Sequence, residues 1–143
     1  MAKPVVEKGL ESQLRASETE KITINLGYVD LGQIDLLVRD GFYSNRTDLI
    51  RTAIRNHLER HAEVLERSTK RKKLDLGLQH YSRAQLEALR AKGERIDIRL
   101  IGLARIASDV SAELARATIG AVVVLGALEA TPSVRDALAD RIA

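Results

Sequence analysis

Residues 20–58 read EKITINLGYVDLGQIDLLVRDGFYSNRTDLIRTAIRNHL, and this stretch decides the fold. It opens on an alternating run, Lys21-Ile22-Thr23-Ile24-Asn25-Leu26. On a strand over 20–26, Ile22, Ile24 and Leu26 share one face, and Lys21, Thr23 and Asn25 share the other. Gly27 ends it. Two helical patterns follow, separated by Gly41-Phe42-Tyr43-Ser44. The first, about 30–40, turns Leu31, Ile34, Leu37 and Val38 inward, and Gly41 suits a left-handed C-terminal cap. The second is N-capped by Ser44 and continues to about residue 66. It turns Leu49, Ile50, Ala53, Ile54, His57 and Leu58 inward and sends Arg46, Arg51 and Arg55 elsewhere.

A lone strand with one apolar face is not stable, because its edges leave backbone groups unpaired. Pairing with the same strand of a second chain is the simplest remedy. Ile22, Ile24, Leu26, Leu37, Ile50 and Ile54 would then build a core shared by a homodimer. The polar faces of the two strands would form a ribbon, and a two-stranded ribbon fits the major groove of double-stranded DNA. Lysine donates to guanine, asparagine pairs bidentately with adenine, and threonine does either or meets a thymine methyl. Lys21, Thr23 and Asn25 are therefore the candidate base contacts; the plain alternative is an exposed strand face. Ser44, Asn45, Arg46 and Thr47 open the second helix. Free N–H groups, the positive helix end and a guanidinium suit that position to a DNA phosphate. Simple capping is the plain alternative there, and the two are compatible, because a cap fixes the amides that meet the phosphate.

The order of strand, helix, Gly-x-Tyr-Ser turn and a helix with Ile50-Arg51-Thr52-Ala53-Ile54 resembles the ribbon-helix-helix family of Arc, MetJ and CopG-like regulators. The resemblance covers about residues 20–66. It implies an α+β chain whose N-terminal domain dimerises through an intermolecular two-stranded ribbon, with the start of the second helix clamping the DNA backbone. The function it implies is sequence-specific DNA binding, as in a bacterial transcriptional repressor. An antitoxin that autoregulates its own operon, or a DNA-anchored structural or plasmid-maintenance protein, would use the same domain.

Composition sets wider limits. Over 143 residues, 30% are charged and 45% hydrophobic, which suits a folded, helix-rich protein. The net charge is only +3, so the placement of basic residues must carry any claim on nucleic acid. There is no cysteine, which removes disulfides, thiolate metal sites and cysteine nucleophiles. No apolar run reaches membrane-spanning length and residues 1–7 lack a signal-peptide core, so a cytoplasmic, nucleoid-associated location is expected. Carboxylates are scattered, glycines form no phosphate loop, and no Ser/His/Asp set is suggested, so neither an enzyme nor a cofactor is expected. Tyr28, Phe42, Tyr43 and Tyr81 are the only aromatics, too few to stack a single strand. His57 and His61 have the one-turn spacing of a helical metal pair. Nickel-responsive relatives carry their ligands in a separate domain that includes cysteine, so a half-buried His57, an exposed His61 and no metal is the reading taken.

Four segments are expected: a loose arm over 1–19, the ribbon-helix-helix domain over 20–66, a basic linker over 67–81, and a C-terminal region over 82–143. The linker opens on Arg67-Ser68-Thr69-Lys70-Arg71-Lys72-Lys73, a solvated run or helix end close enough to the DNA-binding domain to meet phosphate. In the C-terminal region, Ser82-Arg83-Ala84-Gln85 fits a capping box opening a helix to about Lys92. Residues 95–103 alternate like a strand, 111–119 are helical, 121–126 read as a buried strand, and a last helix runs over about 133–141. Ile101-Gly102, Val110 and Leu114 recur as Leu125-Gly126, Val134 and Leu138, which points to two strand-turn-helix units stacked in parallel. Such units bury little alone, so this region is expected to join copies into a higher oligomer or to recruit another protein.

Overall fold

The computed structural model describes residues 18–143, in two compact units that divide between Leu65 and Glu66. The N-terminal arm falls almost wholly outside the described residues. The chain is a mixture of helix and strand, in line with the expected α+β class.

The first unit holds α1 (Tyr28–Arg39) and α2 (Arg46–Arg60). Helix α1 begins at Gly27, whose extended backbone leaves the first turn to Asp30, a favourable charge at the positive helix end. It ends in a Schellman turn: Gly41 is left-handed at φ +84°, the Phe42 amide donates to the Leu37 carbonyl and the Gly41 amide to that of Val38. Helix α2 does not run on to residue 66. His61 interrupts it, and α3 (Ala62–Lys72) follows, crossing the boundary between the units.

Most of residues 67–81, expected as a linker, is regular structure. The basic run closes α3, whose last turn carries Lys70, Arg71 and Lys72, which complement the negative helix end. Lys73 turns the chain at φ +52°, and Arg99 fixes that turn by donating to the carbonyls of Lys72 and Lys73 at 2.6 and 3.3 Å. Residues Asp75–Tyr81 then form β1, an edge strand.

The second unit continues with α4 (Arg83–Lys92), β2 (Ile96–Ile106), α5 (Ala112–Thr118), β3 (Ile119–Glu129) and α6 (Pro132–Ala137). The Ser82–Gln85 capping box forms as the sequence implied. The three strands are parallel in the order β1-β2-β3. There are therefore three strand-helix units where the sequence suggested two. The last helix is shorter than expected, and the chain after it returns to bridge Val122 with Ile142.

The core lies between the sheet and α4, α5 and α6. Ile98, Leu100, Ala104 and Ile106 of β2 and Val122 of β3 pack with Leu86, Leu114, Ala115 and Val134 from the helices. The alternate residues face the other way, where Leu76, Leu78 and Leu125 are exposed. A parallel sheet is ordinarily buried on both faces. This one has its helices on one.

Candidate nucleic-acid interface

Within one chain, residues 19–27 form neither helix nor strand. Both faces of the alternating run are exposed: Ile22 is 73% and Ile24 61% accessible, with Leu26, Leu36, Leu37, Ile54 and Leu58 also exposed. Ile50 is half-buried. None of the described residues up to Leu65 is fully buried. With that much apolar surface and no buried residue among them, the described residues of this unit offset little of the conformational entropy of folding by their contacts with one another. Lys21, Thr23 and Asn25 are exposed at the same segment.

The start of α2 is built differently from the sequence reading. Asn45, not Ser44, is the N-cap: its side-chain oxygen accepts from the Asp48 amide at 2.8 Å, and the Asp48 carboxylate accepts from the Ser44 amide at 3.0 Å. This reciprocal pair follows the capping-box logic with Asp at the third helical position. It holds the first turn rigid. The Arg46 and Thr47 amides, with no carbonyl four residues back, point past the helix end toward anything placed there.

Arg46 does not reach freely into solvent. Its Nε and Nη2 donate to the two Asp35 carboxylate oxygens, each at 2.8 Å, joining the start of α2 to the middle of α1. That hydrogen-bonded guanidinium holds the Asp35 carboxyl below its ordinary 3.8, with Arg39 adding a weaker attraction, and in turn raises Arg46. Any phosphate contact by Arg46 must compete with Asp35. Sequence reasoning missed this pair, because nothing in the spacing of residues 35 and 46 signals it. His57 and His61 meet edge to face with ring centroids 4.9 Å apart. No group of three or more His, Asp or Glu suited to a metal occurs among the described residues. No helix among them is long and apolar enough to cross a membrane.

No curated protein and no solved structure matches the chain significantly. The profile of the ribbon-helix-helix transcriptional regulator family, however, matches residues 17–135. The match begins just before the alternating segment and runs through all three strands of the second unit, well past the residues that carried the resemblance. By that match over most of its length, the chain belongs to the ribbon-helix-helix family of DNA-binding transcriptional regulators.

Proposed function

We infer that the protein is a homodimeric repressor whose ribbon, made from residues 20–26 of two copies, reads the major groove of double-stranded DNA. The observation that carries this reading is the exposed apolar row Ile22, Ile24 and Leu26 in a unit with no buried residue among those described. Pairing two copies closes both problems at once. The strands satisfy each other's backbone groups, and the apolar rows face a joint core with Leu37, Ile50 and Ile54. Lys21, Thr23 and Asn25 then lie on the outer face as base contacts. Ser44, Asn45, Arg46 and Thr47 meet the flanking phosphates, chiefly through the first-turn amides that the Asn45–Asp48 cap orders. The second unit serves assembly of dimers into a higher oligomer; its exposed leucines and unpaired edge favour this role.

Selection of binding sites from a random duplex pool, with salt titration of the winners, tests the readout. Asn25→Ala should relax base preference at one position of each half-site, at a cost of about 1–3 kcal/mol there. Arg46→Ala should weaken binding to all sequences nearly alike and lower the salt slope by about one. Asp35→Ala should act in the opposite direction, because it releases the guanidinium to the phosphate. A changed consensus with Arg46→Ala and an unchanged one with Asn25→Ala would reverse the assignment.

A further inference from the structure

The sheet of the second unit is unfinished at both edges, and the two edges are complementary. Gly77, Gly102 and Gly126 stand side by side across β1, β2 and β3. Their φ angles are +137°, +139° and +120°. A Cβ on Gly102 would lie 1.9 Å from the Gly77 carbonyl oxygen, and one on Gly126 2.2 Å from that of Gly102. Each inner glycine is thus required by the carbonyl of the preceding strand. Gly77 has the same conformation, yet a Cβ there would meet nothing within 4 Å. Its outer side keeps the shape that a further carbonyl would fill.

The opposite edge supplies such a carbonyl. Val122 donates its amide to the Arg141 carbonyl and accepts from the Ala143 amide, so its backbone groups face outward. By alternation, those of Val124, Gly126 and Leu128 face outward too. Arg141 is held in place by donating to the carbonyls of Arg116 and Ile119, each at 2.6 Å. Residues 141–143 therefore cover β3 at Val122.

We propose that β1 of a second copy adds to β3 as a fourth parallel strand, continuing the glycine ladder, so that the second units join head to tail. Three observations commit the occupant. In the register of the sheet, Asp75 aligns with Leu100 and Leu100 with Val124, so β1 begins on β3 just past the part covered by residues 141–143. The row Leu76–Ile101–Leu125 would set Leu76 of the second copy, 80% exposed in one chain, beside Leu125, which is 53% exposed. The row His80–Arg105–Glu129 would bring His80 of the second copy next to the Glu129 carboxylate, which already accepts from Arg105. Strand β1 also carries neither lysine nor proline, the residues that shield free edges from pairing. Such a joint is heterologous, so each copy offers one edge and receives another, and the series runs on into a ring or a filament.

This inference rests on the reading of the second unit as an assembly module and is independent of the DNA readout. Analytical ultracentrifugation of the full chain tests it with Leu76→Lys and Leu125→Glu, one on each edge. The wild type should pass beyond the dimer and each variant should stop at the dimer. An equimolar mixture of the two variants should associate again, because the first keeps its β3 edge and the second its β1 edge. Circular dichroism checks the fold, and Leu78→Lys replaces Leu76→Lys should the latter lose structure. Assembly that survives Leu125→Glu, or a mixture that stays dimeric, overturns the head-to-tail joint while leaving the assembly reading standing. A wild type that never passes the dimer overturns both.

Discussion

Ile24→Asp is expected to abolish dimerisation and specific DNA binding together. In one chain the side chain is well exposed, so a carboxylate there would cost nothing if the chain acted alone. In the proposed dimer it lies at the centre of the row Ile22, Ile24 and Leu26, beneath the ribbon. Burying an unpaired carboxylate costs several kcal/mol, roughly 3 or more, in a core with no partner for it. Two such sites meet in a symmetric dimer, so the penalty is felt twice. Size-exclusion chromatography with a duplex titration measures both effects. The control is Thr23→Asp on the opposite face, which should leave the dimer intact and weaken DNA binding by charge alone. A variant at residue 24 that remains a DNA-binding dimer would reverse the orientation of the strand.

Gly102→Ala carries the second large effect, this time on the other unit. The added methyl group would lie 1.9 Å from a backbone oxygen and 2.9 Å from its carbon, both of Gly77 in the neighbouring strand. Backbone held in a ladder cannot retreat as a flexible side chain does. The φ of +139° adds strain for any residue with a Cβ. A loss of about 3 kcal/mol or more is expected, enough to unfold a small three-stranded unit. Gly32→Ala is the matched control. It lies inside α1 with nothing within 4 Å, and there the same substitution should stabilise by about 0.5–1 kcal/mol. Urea titration of both variants separates the two units: the first should lose the transition of the sheet, and the second should raise that of the helices.

What the sequence revealed depends on the range over which each signal acts. The alternation at 21–26, the stop at Gly41 and the Ser82–Gln85 box are local, and each is legible in a few adjacent residues. Ser44 and Asn45 are both good caps. The choice between them turned on Asp48, which can answer the Asn45 cap from the third helical position. The first strand-helix unit was hidden for a similar reason. Leu76-Gly77 and Leu89 match Ile101-Gly102 and Leu114, but Gln85 stands where the other units place Val110 and Val134. Gln85 is spent on the cap, so the apolar signature of the repeat is broken at that point, and the preceding charge run drew the whole segment toward a linker. The Arg46–Asp35 pair, between two helices, leaves no local mark at all.

On the proposed assembly role, the second unit would act on regulation through multiplicity. A dimer that holds one site and is tied to another dimer raises the local concentration of the second at an adjacent site, so paired sites fill more steeply than single ones. The family match spans both units, which places the sheet within the architecture of this regulator group.

Residues 20–26 are proposed to pair between two chains, and cysteine scanning measures that pairing directly. The chain has no cysteine, so a single one can be introduced in turn at each position from 21 to 26. Directly opposed residues of an antiparallel pair have Cα atoms about 4.5–5.5 Å apart, within the range of about 4.4–6.8 Å that a disulfide spans. Oxidation should therefore give a covalent dimer rapidly at the position nearest the two-fold axis and fall away sharply two residues to either side. Bound duplex should protect positions 21, 23 and 25 from alkylation. Slow, uniform cross-linking at all six positions, unchanged by DNA, would contradict the ribbon.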